Sequence, residues 1–305
     1  MKIFILSLIA KIFKNLKLLF ELMRIRNCII GFFGVIVAVS FLDINFITKF
    51  STLLAGISVF LIMAAGNMIN DYFDFEIDKI NKKNRPLPSG RIRKGDVLML
   101  SILFFFSGIA IAKSINIYCL LLAILNSILL MIYARYSKKI LFISNLGVSY
   151  LIISIFIFGV FSISPRIIEE ISKEEVILLS VLITCAFLMT LSREIIKDIE
   201  DLEGDKIKGA VTIPTKFGKK NAKNLAIIFT IVAVSISFLP FLSPIPLTNF
   251  DLYVYGFFIS IADILFLISL TMNPSIMQRL MVFSMTLALI GFFLGKFITA
   301  SSPLL

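Results

Sequence analysis

Two short segments of this 305-residue chain, 67–78 and 193–205, hold 10 of its 19 acidic residues. Within each segment three aspartates recur at positions i, i+3 and i+7. They are Asp71, Asp74 and Asp78 in the first segment, and Asp198, Asp201 and Asp205 in the second. Each aspartate of the second segment lies 127 residues after its counterpart, which suggests an internal duplication. Because an α-helix turns once in about 3.6 residues, each triplet is expected to share one helix face, which Asn67 joins one turn earlier.

The metal ligands available in these segments are oxygen atoms. The chain contains no histidine, and its three cysteines lie in apolar stretches without metal-binding spacing: Cys28, Cys119 and Cys185. Oxygen-only sites favour Mg²⁺ or Ca²⁺, and Mg²⁺ usually binds through a few carboxylates together with substrate phosphate. Nearby basic residues could bind that phosphate: Lys79, Lys82, Lys83, Arg85, Arg91, Lys138 and Arg193. If the two faces oppose each other across a cavity, the pattern predicts a pyrophosphate site at a membrane surface. Solvated loops with salt bridges would explain one such triplet, but two copies with equal spacing disfavour them.

The composition predicts a membrane protein. Hydrophobic residues make up 59% of the chain and charged residues 16%, against about 45–50% and about 25% in ordinary globular domains. About nine apolar runs approach the roughly 20 residues that span a bilayer as a helix: 25–42, 49–70, 96–113, 116–134, 143–162, 175–196, 222–242, 251–272 and 277–298. Only helices and closed barrels satisfy backbone polar groups in lipid, and these runs lack strand-like alternation. We therefore expect an all-α membrane protein, a single bundle of about nine transmembrane helices around a central cavity open to the cytoplasmic side.

The first 22 residues are expected to form an amphipathic helix that lies in the membrane interface. At helical spacing Lys11 and Lys14 share one face and lie opposite Ile9. The lysines that follow the first apolar run disfavour a signal peptide. We therefore divide the chain into an interfacial helix over 1–22 and one transmembrane domain over 23–305.

Basic residues are distributed unevenly between the two ends of the predicted spans. With the N-terminus placed in the cytoplasm, 25 of the 30 Lys and Arg residues fall in cytoplasmic segments. Most of them precede the first span or lie in 79–94, 135–139 and 193–223. The positive-inside rule therefore predicts an integral membrane protein with its N-terminus and acidic segments in the cytoplasm and its C-terminus outside. This topology explains the formal net charge of +11, so nucleic-acid binding is not expected.

Three motifs resemble those of the UbiA superfamily of intramembrane prenyltransferases. In chain order they are 70–78 followed by Asn-Arg-Pro-Leu-Pro-Ser-Gly at 84–90, then Tyr133 with Lys138 in a Tyr-x-x-x-x-Lys element, then 193–205. The resemblance extends from about residue 20 to the end of the chain. The residues within the motifs are closest to the archaeal branch of the superfamily that makes ether lipids.

The resemblance implies Mg²⁺-dependent transfer of a geranylgeranyl group from geranylgeranyl diphosphate to geranylgeranylglyceryl phosphate, with release of pyrophosphate. By the family's motifs the metal ligands would be Asn67, Asp71, Asp74, Asp198, Asp201 and Asp205. The diphosphate would be bound by Asn70, Asp78, Arg85, Tyr133, Lys138 and Arg193. The catalytic residues, acting through metal-assisted ionisation, would be Asp71, Asp74, Asp201 and Asp205. The expected partners are the two lipid substrates and the bilayer, and no protein partner is indicated.

Several alternatives stay open at this point. A UbiA-type enzyme could act on an aromatic acceptor, such as a hydroxybenzoate or a quinone precursor. A cation transporter would place its acids near the bilayer midplane rather than at one surface. A CDP-alcohol phosphotransferase would need an Asp-Gly-x-x-Ala-Arg pattern, which the chain lacks. With no histidine, either a carboxylate or the departing pyrophosphate must take the acceptor's proton. Asp263, an isolated acid in the eighth span, could form a helix-packing hydrogen bond or line a cavity.

Overall fold

The computed structural model describes residues 15–42, 44–136, 141–163, 171–207 and 209–301, and these residues contain helices and no β-strand. The α-helices are α1 (Ile25–Leu42), α2 (Phe50–Phe73), α3 (Phe75–Asn81), α4 (Lys94–Ile115), α5 (Ile117–Tyr136), α6 (Ile143–Phe161), α7 (Lys173–Glu200), α8 (Leu202–Ile207), α9 (Ile213–Ser237), α10 (Leu252–Ser269) and α11 (Pro274–Ser301). A further helical stretch covers 15–23. It is the described end of the predicted interfacial helix, of which residues 1–14 lie outside the described residues.

Eight of these helices are long and apolar enough to cross a membrane: α1, α2, α4, α5, α6, α7, α10 and α11. They coincide with eight of the predicted spans, and the expected all-α membrane fold is confirmed. The span predicted over 222–242 corresponds to α9. Lysines occupy the first turns of that helix and Gly218, at φ 83° and ψ 159°, kinks it, so its uninterrupted apolar part is short. The number of nine spans stays a prediction.

The chain divides into two compact units. The first consists of Met1–Phe32 and Ile57–Arg135, and the second of Phe33–Gly56 and Tyr136–Leu305. The first acidic segment belongs to the first unit and the second acidic segment to the second. The division into 1–22 and 23–305, and the central cavity, stay predictions.

The core of the first unit joins the helical stretch 15–23 to the start of α1, to α2, to α4 and to the loop between α3 and α4. Its buried apolar residues are Leu22, Met23, Cys28, Ala64, Met68, Leu87 and Val97. Two hydrogen bonds fasten α2 to α4, from Ser58 Oγ to the Gly108 carbonyl at 2.8 Å and from Ser101 Oγ to the Ala65 carbonyl at 3.0 Å. A Cβ added at Gly108 would lie 2.7 Å from Ile62, so glycine is needed for this approach.

In the second unit α7 packs against α6, α9 and α11, and α10 packs against α11. Ser192 on α7 donates to the Ala226 carbonyl of α9 at 2.8 Å. Asp263 on α10 is buried and accepts from Ser237 Oγ, at the end of α9, at 2.7 Å. Tyr255 Oη donates to the Ser237 carbonyl at 2.6 Å. Asp263 therefore forms a helix-packing hydrogen bond, one of the two roles considered for it.

Replacing Asp263 with alanine is expected to lower the thermal stability of the protein in detergent. Interhelical hydrogen bonds in membrane proteins contribute about 0.6 kcal/mol on average and about 1.7 kcal/mol at most, so the free energy of unfolding should fall by an amount in that range. Asp263→Asn, which keeps an acceptor for the Ser237 hydroxyl, should lower it less. Melting temperatures of the three proteins check this. An Asp263→Ala protein with the melting temperature of the wild type would contradict the packing role.

Candidate active site

The first acidic segment lies where a long helix is interrupted. α2 ends at Phe73, Asp74 adopts φ −81° and ψ 3°, and α3 begins at Phe75. The backbone N–H groups of Asp74 and Asp78 still donate to the carbonyls of Asn70 and Asp74, at 2.9 and 2.8 Å. The helical hydrogen-bond register therefore continues through the interruption.

The second acidic segment repeats this local geometry. α7 ends at Glu200, Asp201 adopts φ −83° and ψ 2°, and α8 begins at Leu202. The N–H groups of Asp201 and Asp205 donate to the carbonyls of Lys197 and Asp201, both at 2.9 Å. The middle aspartate of each triplet thus occupies the same position between a long and a short helix. Equal spacing in the sequence is accompanied by equal backbone conformation.

The first and last aspartates of each triplet are buried. Asp71 and Asp78 are 4% and 2% exposed, and Asp198 and Asp205 are 8% and 0% exposed. A buried carboxylate without a cation or a hydrogen-bond donor beside it is strongly destabilising. The local contacts of these side chains therefore decide whether the segments can stay folded and charged.

Guanidinium groups compensate the buried aspartates of the first segment. Arg24 Nη2 lies 2.7 Å from Asp71 Oδ1, and Arg85 Nη1 lies 3.2 Å from the same oxygen. Arg85 Nη1 also lies 2.7 Å from Asp78 Oδ2. Hydrogen bonds between charged groups are roughly twice as strong as neutral ones. The two arginines therefore fix both carboxylates in place.

The loop between α3 and α4 brings Arg85 to this position. Arg91 Nη1 lies 2.6 Å from Glu21 Oε2, and Arg91 Nη2 donates to the Asn84 carbonyl at 2.6 Å. Leu87 is buried in the core of the first unit. Arg85, which the sequence predicts as a diphosphate-binding residue, is thus carried by an anchored loop.

The two asparagines of the first segment make different contacts. Asn70 Nδ2 donates to Asp74 Oδ2 at 2.9 Å. Asn67 Nδ2 donates to the Met23 carbonyl at 2.9 Å. This bond holds α2 against the turn at Arg24, whose φ of 51° lies in the left-handed region that residues other than glycine seldom adopt. The amide nitrogen of Asn67 is therefore used in folding, and the role of its oxygen as a metal ligand stays a prediction.

Pairing also compensates two buried acids of the second segment, Glu194 and Asp198. Glu194 is buried beside Arg193, which donates to its Oε1, and beside Lys197, whose Nζ lies 2.8 Å from its Oε2. Asn145, near the start of α6, donates from Nδ2 to Asp198 Oδ2 at 2.9 Å. Arg193 is thus paired with Glu194, and its predicted role in binding diphosphate stays a prediction.

Arg24 and Asn145 contact aspartates of the candidate site, and neither is among the site residues predicted from the sequence. They lie 47 and 53 residues from the aspartates that they contact. Arg24 immediately precedes the first span and Asn145 is the third residue of another. A polar residue at the end of an apolar run is the sequence signal available for both.

The structure places the predicted site residues in two groups. The first unit holds Asn67, Asn70, Asp71, Asp74, Asp78 and Arg85, and the second holds Arg193, Asp198, Asp201 and Asp205. Tyr133 is half-buried near the end of α5 in the first unit. Lys138, its companion in the Tyr-x-x-x-x-Lys element, lies outside the described residues.

The donor set suits a hard divalent cation that keeps part of its water. Carboxylate and amide oxygens are the ligands that Mg²⁺ prefers. Within the described ranges, no group of three or more Asp, Glu or Cys side chains lies close enough together to hold an ion. Mg²⁺ commonly binds through one or two carboxylates together with substrate phosphates and water. The residues present therefore fit Mg²⁺ that binds together with a diphosphate.

The long apolar helices define an integral membrane protein, and two of them end in aspartate segments with the same geometry. The model of the UbiA prenyltransferase family matches residues 28–290. The chain belongs to the UbiA prenyltransferase family, as its motifs predict, and is a prenyltransferase.

Named relatives and solved structures agree with this assignment. The digeranylgeranylglyceryl phosphate synthase of Methanosarcina mazei is 39% identical over 293 residues, which cover 90% of this chain and 96% of the relative. The synthase of the same name from Methanocaldococcus jannaschii is 35% identical over 291 residues, with 92% and 97% covered.

Two solved structures cover nearly the whole chain. The structure of a digeranylgeranylglyceryl phosphate synthase aligns with a TM-score of 0.69 at 34% identity and covers 93% of this chain and 99% of that one. The structure of a UbiA homologue from Archaeoglobus fulgidus, bound to GPP and Mg²⁺, aligns with a TM-score of 0.64 at 18% identity and covers 92% and 99%. At that identity the second likeness concerns the fold alone.

Proposed function

We propose that this protein is a digeranylgeranylglyceryl phosphate synthase of ether-lipid biosynthesis. It transfers the geranylgeranyl group of geranylgeranyl diphosphate to the free hydroxyl of geranylgeranylglyceryl phosphate. The carbon–oxygen bond to the diphosphate breaks, pyrophosphate leaves with the bonding electrons, and an ether bond forms to the hydroxyl oxygen. The observation that carries the proposal is 39% identity across 96% of the length of the M. mazei synthase. The relatives of this name favour a glycerol phosphate lipid over an aromatic acceptor.

We further propose that the two aspartate segments hold Mg²⁺ and, through it, one diphosphate. The metal ligands would be Asn67, Asp71, Asp74, Asp198, Asp201 and Asp205. Mg²⁺ supplies Lewis-acid stabilisation of the negative charge that develops on the departing pyrophosphate. The oxygen donors of the two segments, their matched geometry, and the Mg²⁺ and GPP bound by the A. fulgidus homologue support this assignment.

The remaining site residues bind and orient the diphosphate in this proposal: Asn70, Asp78, Arg85, Tyr133, Lys138 and Arg193. Asp78 acts by holding Arg85, whose guanidinium lies 2.7 Å from its carboxylate. Arg24 compensates the charge of Asp71, although the two residues are 47 positions apart in the sequence. Surrounding apolar helices exclude water, which would otherwise trap the allylic cation. A carboxylate or the departing pyrophosphate takes the proton of the acceptor hydroxyl.

We also propose that this reaction takes place at the cytoplasmic surface, with the N-terminus in the cytoplasm and the C-terminus outside. The asymmetric distribution of 25 of the 30 basic residues supports this orientation.

Product analysis tests the proposed reaction. Purified protein incubated with geranylgeranyl diphosphate, Mg²⁺ and geranylgeranylglyceryl phosphate should form the diether and release pyrophosphate in equal amounts. Mass spectrometry of the lipid extract and a pyrophosphate assay measure the two products. Pyrophosphate release without ether formation would mean hydrolysis instead of transfer and would overturn the proposal.

Replacing Asn145 with alanine is expected to weaken the apparent affinity for Mg²⁺. The variant removes the donor that orients Asp198, and loss of such a supporting partner typically lowers metal affinity or activity by about 10- to 100-fold. Titration of transfer activity with Mg²⁺ measures the effect. Ser149→Ala, one turn later on α6, is the matched control because its hydroxyl donates to the carbonyl of Asn145 within the same helix. Equal Mg²⁺ dependence in both variants and the wild type would remove Asn145 from the site.

A further inference from the structure

The helical stretch 15–23 and the start of α1 form a groove of about 570 Å³ within the first unit. Residues between 16 and 27 line it. The two walls meet at Arg24, where the left-handed backbone separates the helical stretch from α1. In the proposed reaction Arg24 compensates the charge of Asp71, and residues 16–23 have no role.

The polar lining of the groove is cationic. Lys17, Arg24 and Arg26 line it together with one carboxylate, Glu21, which is compensated by Arg91 at 2.6 Å. Lys17 and Arg26 are exposed. Ammonium and guanidinium groups bind phosphate through charge-assisted hydrogen bonds. The charge of the groove therefore suits a phosphate-bearing ligand.

The remaining lining is largely apolar. Leu16 and Phe20 are 41% and 45% exposed, and Ile25 lies in the same lining. In a membrane protein, apolar side chains exposed beside basic ones are suited to a lipid with its anionic head at the interface. Both parts of the lining together fit a molecule with a phosphate head and a hydrocarbon chain.

The groove reaches the first acidic segment. Arg24, which lines the groove, lies 2.7 Å from Asp71. The acceptor of the proposed reaction has a glycerol backbone, so the carbon that carries its phosphate and the carbon that carries its free hydroxyl are at most two carbon–carbon bonds apart. Any cation that binds this phosphate must therefore lie near the point where the hydroxyl reacts. The groove has cations in its lining and lies beside the first acidic segment, so it satisfies both requirements.

We propose that this groove binds the acceptor lipid, with Lys17 and Arg26 holding its phosphate and Leu16 and Phe20 contacting its isoprenoid chain. The inference rests on the proposed function. It makes the N-terminal stretch the part of the chain that selects a phosphorylated glycerol lipid over acceptors without a phosphate.

Kinetics of a Lys17→Ala/Arg26→Ala double variant test the inference. The KM for geranylgeranylglyceryl phosphate should rise by roughly 10- to 100-fold, as expected for the loss of hydrogen bonds to a charged group. The kcat and the KM for geranylgeranyl diphosphate should stay unchanged, which also shows that the variant folds. Lys17→Arg/Arg26→Lys, which keeps both charges, should behave nearly as the wild type. Lys223→Ala/Arg279→Ala removes one lysine and one arginine from the second unit and should leave both KM values unchanged.

A second arm uses geranylgeranylglycerol, which lacks the phosphate. The wild type should discriminate strongly against this acceptor, and the Lys17→Ala/Arg26→Ala variant should discriminate little. The double variant could instead lose activity equally with both acceptors and regain it in nanodiscs of neutral phosphatidylcholine. The two cations would then only attach the helix to anionic bilayers. That result would overturn the inference, as would an unchanged KM for the phosphorylated acceptor.

The outcome also separates the inference from the function on which it rests. If the wild type forms no diether, the proposed function fails and the inference fails with it. If the wild type forms diether and the double variant has wild-type kinetics, the inference alone fails.

Discussion

Replacing Asp71 or Asp201 with alanine is expected to reduce prenyl transfer by at least about 100- to 1,000-fold, the usual loss when one group that stabilises developing charge is removed. The two residues belong to different units of the chain but occupy equivalent segments. Each variant removes a carboxylate that the proposed site needs to hold Mg²⁺ and the leaving diphosphate. The initial rate of diether formation, measured at saturating Mg²⁺ and substrates, checks this.

The control for these variants is Asp96→Ala. Asp96 is an exposed aspartate in the first turn of α4, and its loss should leave the rate unchanged. Size-exclusion chromatography in detergent should show all three variants as folded protein, although Asp71→Ala also removes the carboxylate that Arg24 and Arg85 both contact. Wild-type rates in both the Asp71 and the Asp201 variant would remove the two segments from the reaction.

Chelation of divalent cations with EDTA is expected to reduce transfer to the background rate, and added Mg²⁺ is expected to restore it. One reason is that the two guanidinium groups in contact with the buried aspartates of the first segment are already bound to those carboxylates: Arg24 to Asp71, and Arg85 to Asp71 and Asp78. Without a metal ion, these two groups are already neutralised by the protein's own carboxylates and stabilise the departing pyrophosphate less than Mg²⁺ would.

The same contacts predict that the fold survives chelation. Asp71 and Asp78 have arginine partners, and Asp198 has an asparagine partner, each within its own unit. The melting temperature should therefore change little in EDTA while the activity disappears. Full activity in EDTA would contradict the metal mechanism, and unfolding in EDTA would assign the metal a structural role.

Hydrophobicity alone predicts most of the helices. Apolar runs such as 25–42 and 143–162 are long enough to leave no other conformation in lipid, and the structure has helices at Ile25–Leu42 and Ile143–Phe161. The predicted limits of α9 differ more from the structure because its first turns contain Pro214 and several lysines. A hydropathy window begins only after those residues, whereas α9 begins at Ile213 and continues past the kink at Gly218.

The site is predictable where it depends on spacing along one segment and unpredictable where it depends on packing. The positions i, i+3 and i+7 predict one helix face, but they do not reveal that Asp74 and Asp201 lie between a long and a short helix. The backbone dihedrals of both residues differ from helical values while the hydrogen-bond register continues. No local pattern in the sequence distinguishes that conformation from a continuous helix.

Contacts between distant residues illustrate the same limit. Arg24 reaches Asp71 across 47 residues and Asn145 reaches Asp198 across 53. Which polar residue meets which carboxylate depends on the rotation of each helix about its axis and on the turn at Arg24, and a single sequence encodes neither directly. A buried aspartate predicts that a partner exists, and the structure identifies it.

A competition between two acceptors distinguishes the proposed reaction from prenyl transfer to an aromatic acid. Purified protein is incubated with geranylgeranyl diphosphate, Mg²⁺ and equal concentrations of geranylgeranylglyceryl phosphate and 4-hydroxybenzoate, and the products are identified by mass spectrometry. The Asp71→Ala protein serves as the inactive control. The glycerol phosphate diether should be the dominant product of the wild type, and the control should form no product. A prenylated hydroxybenzoate as the dominant product would contradict it.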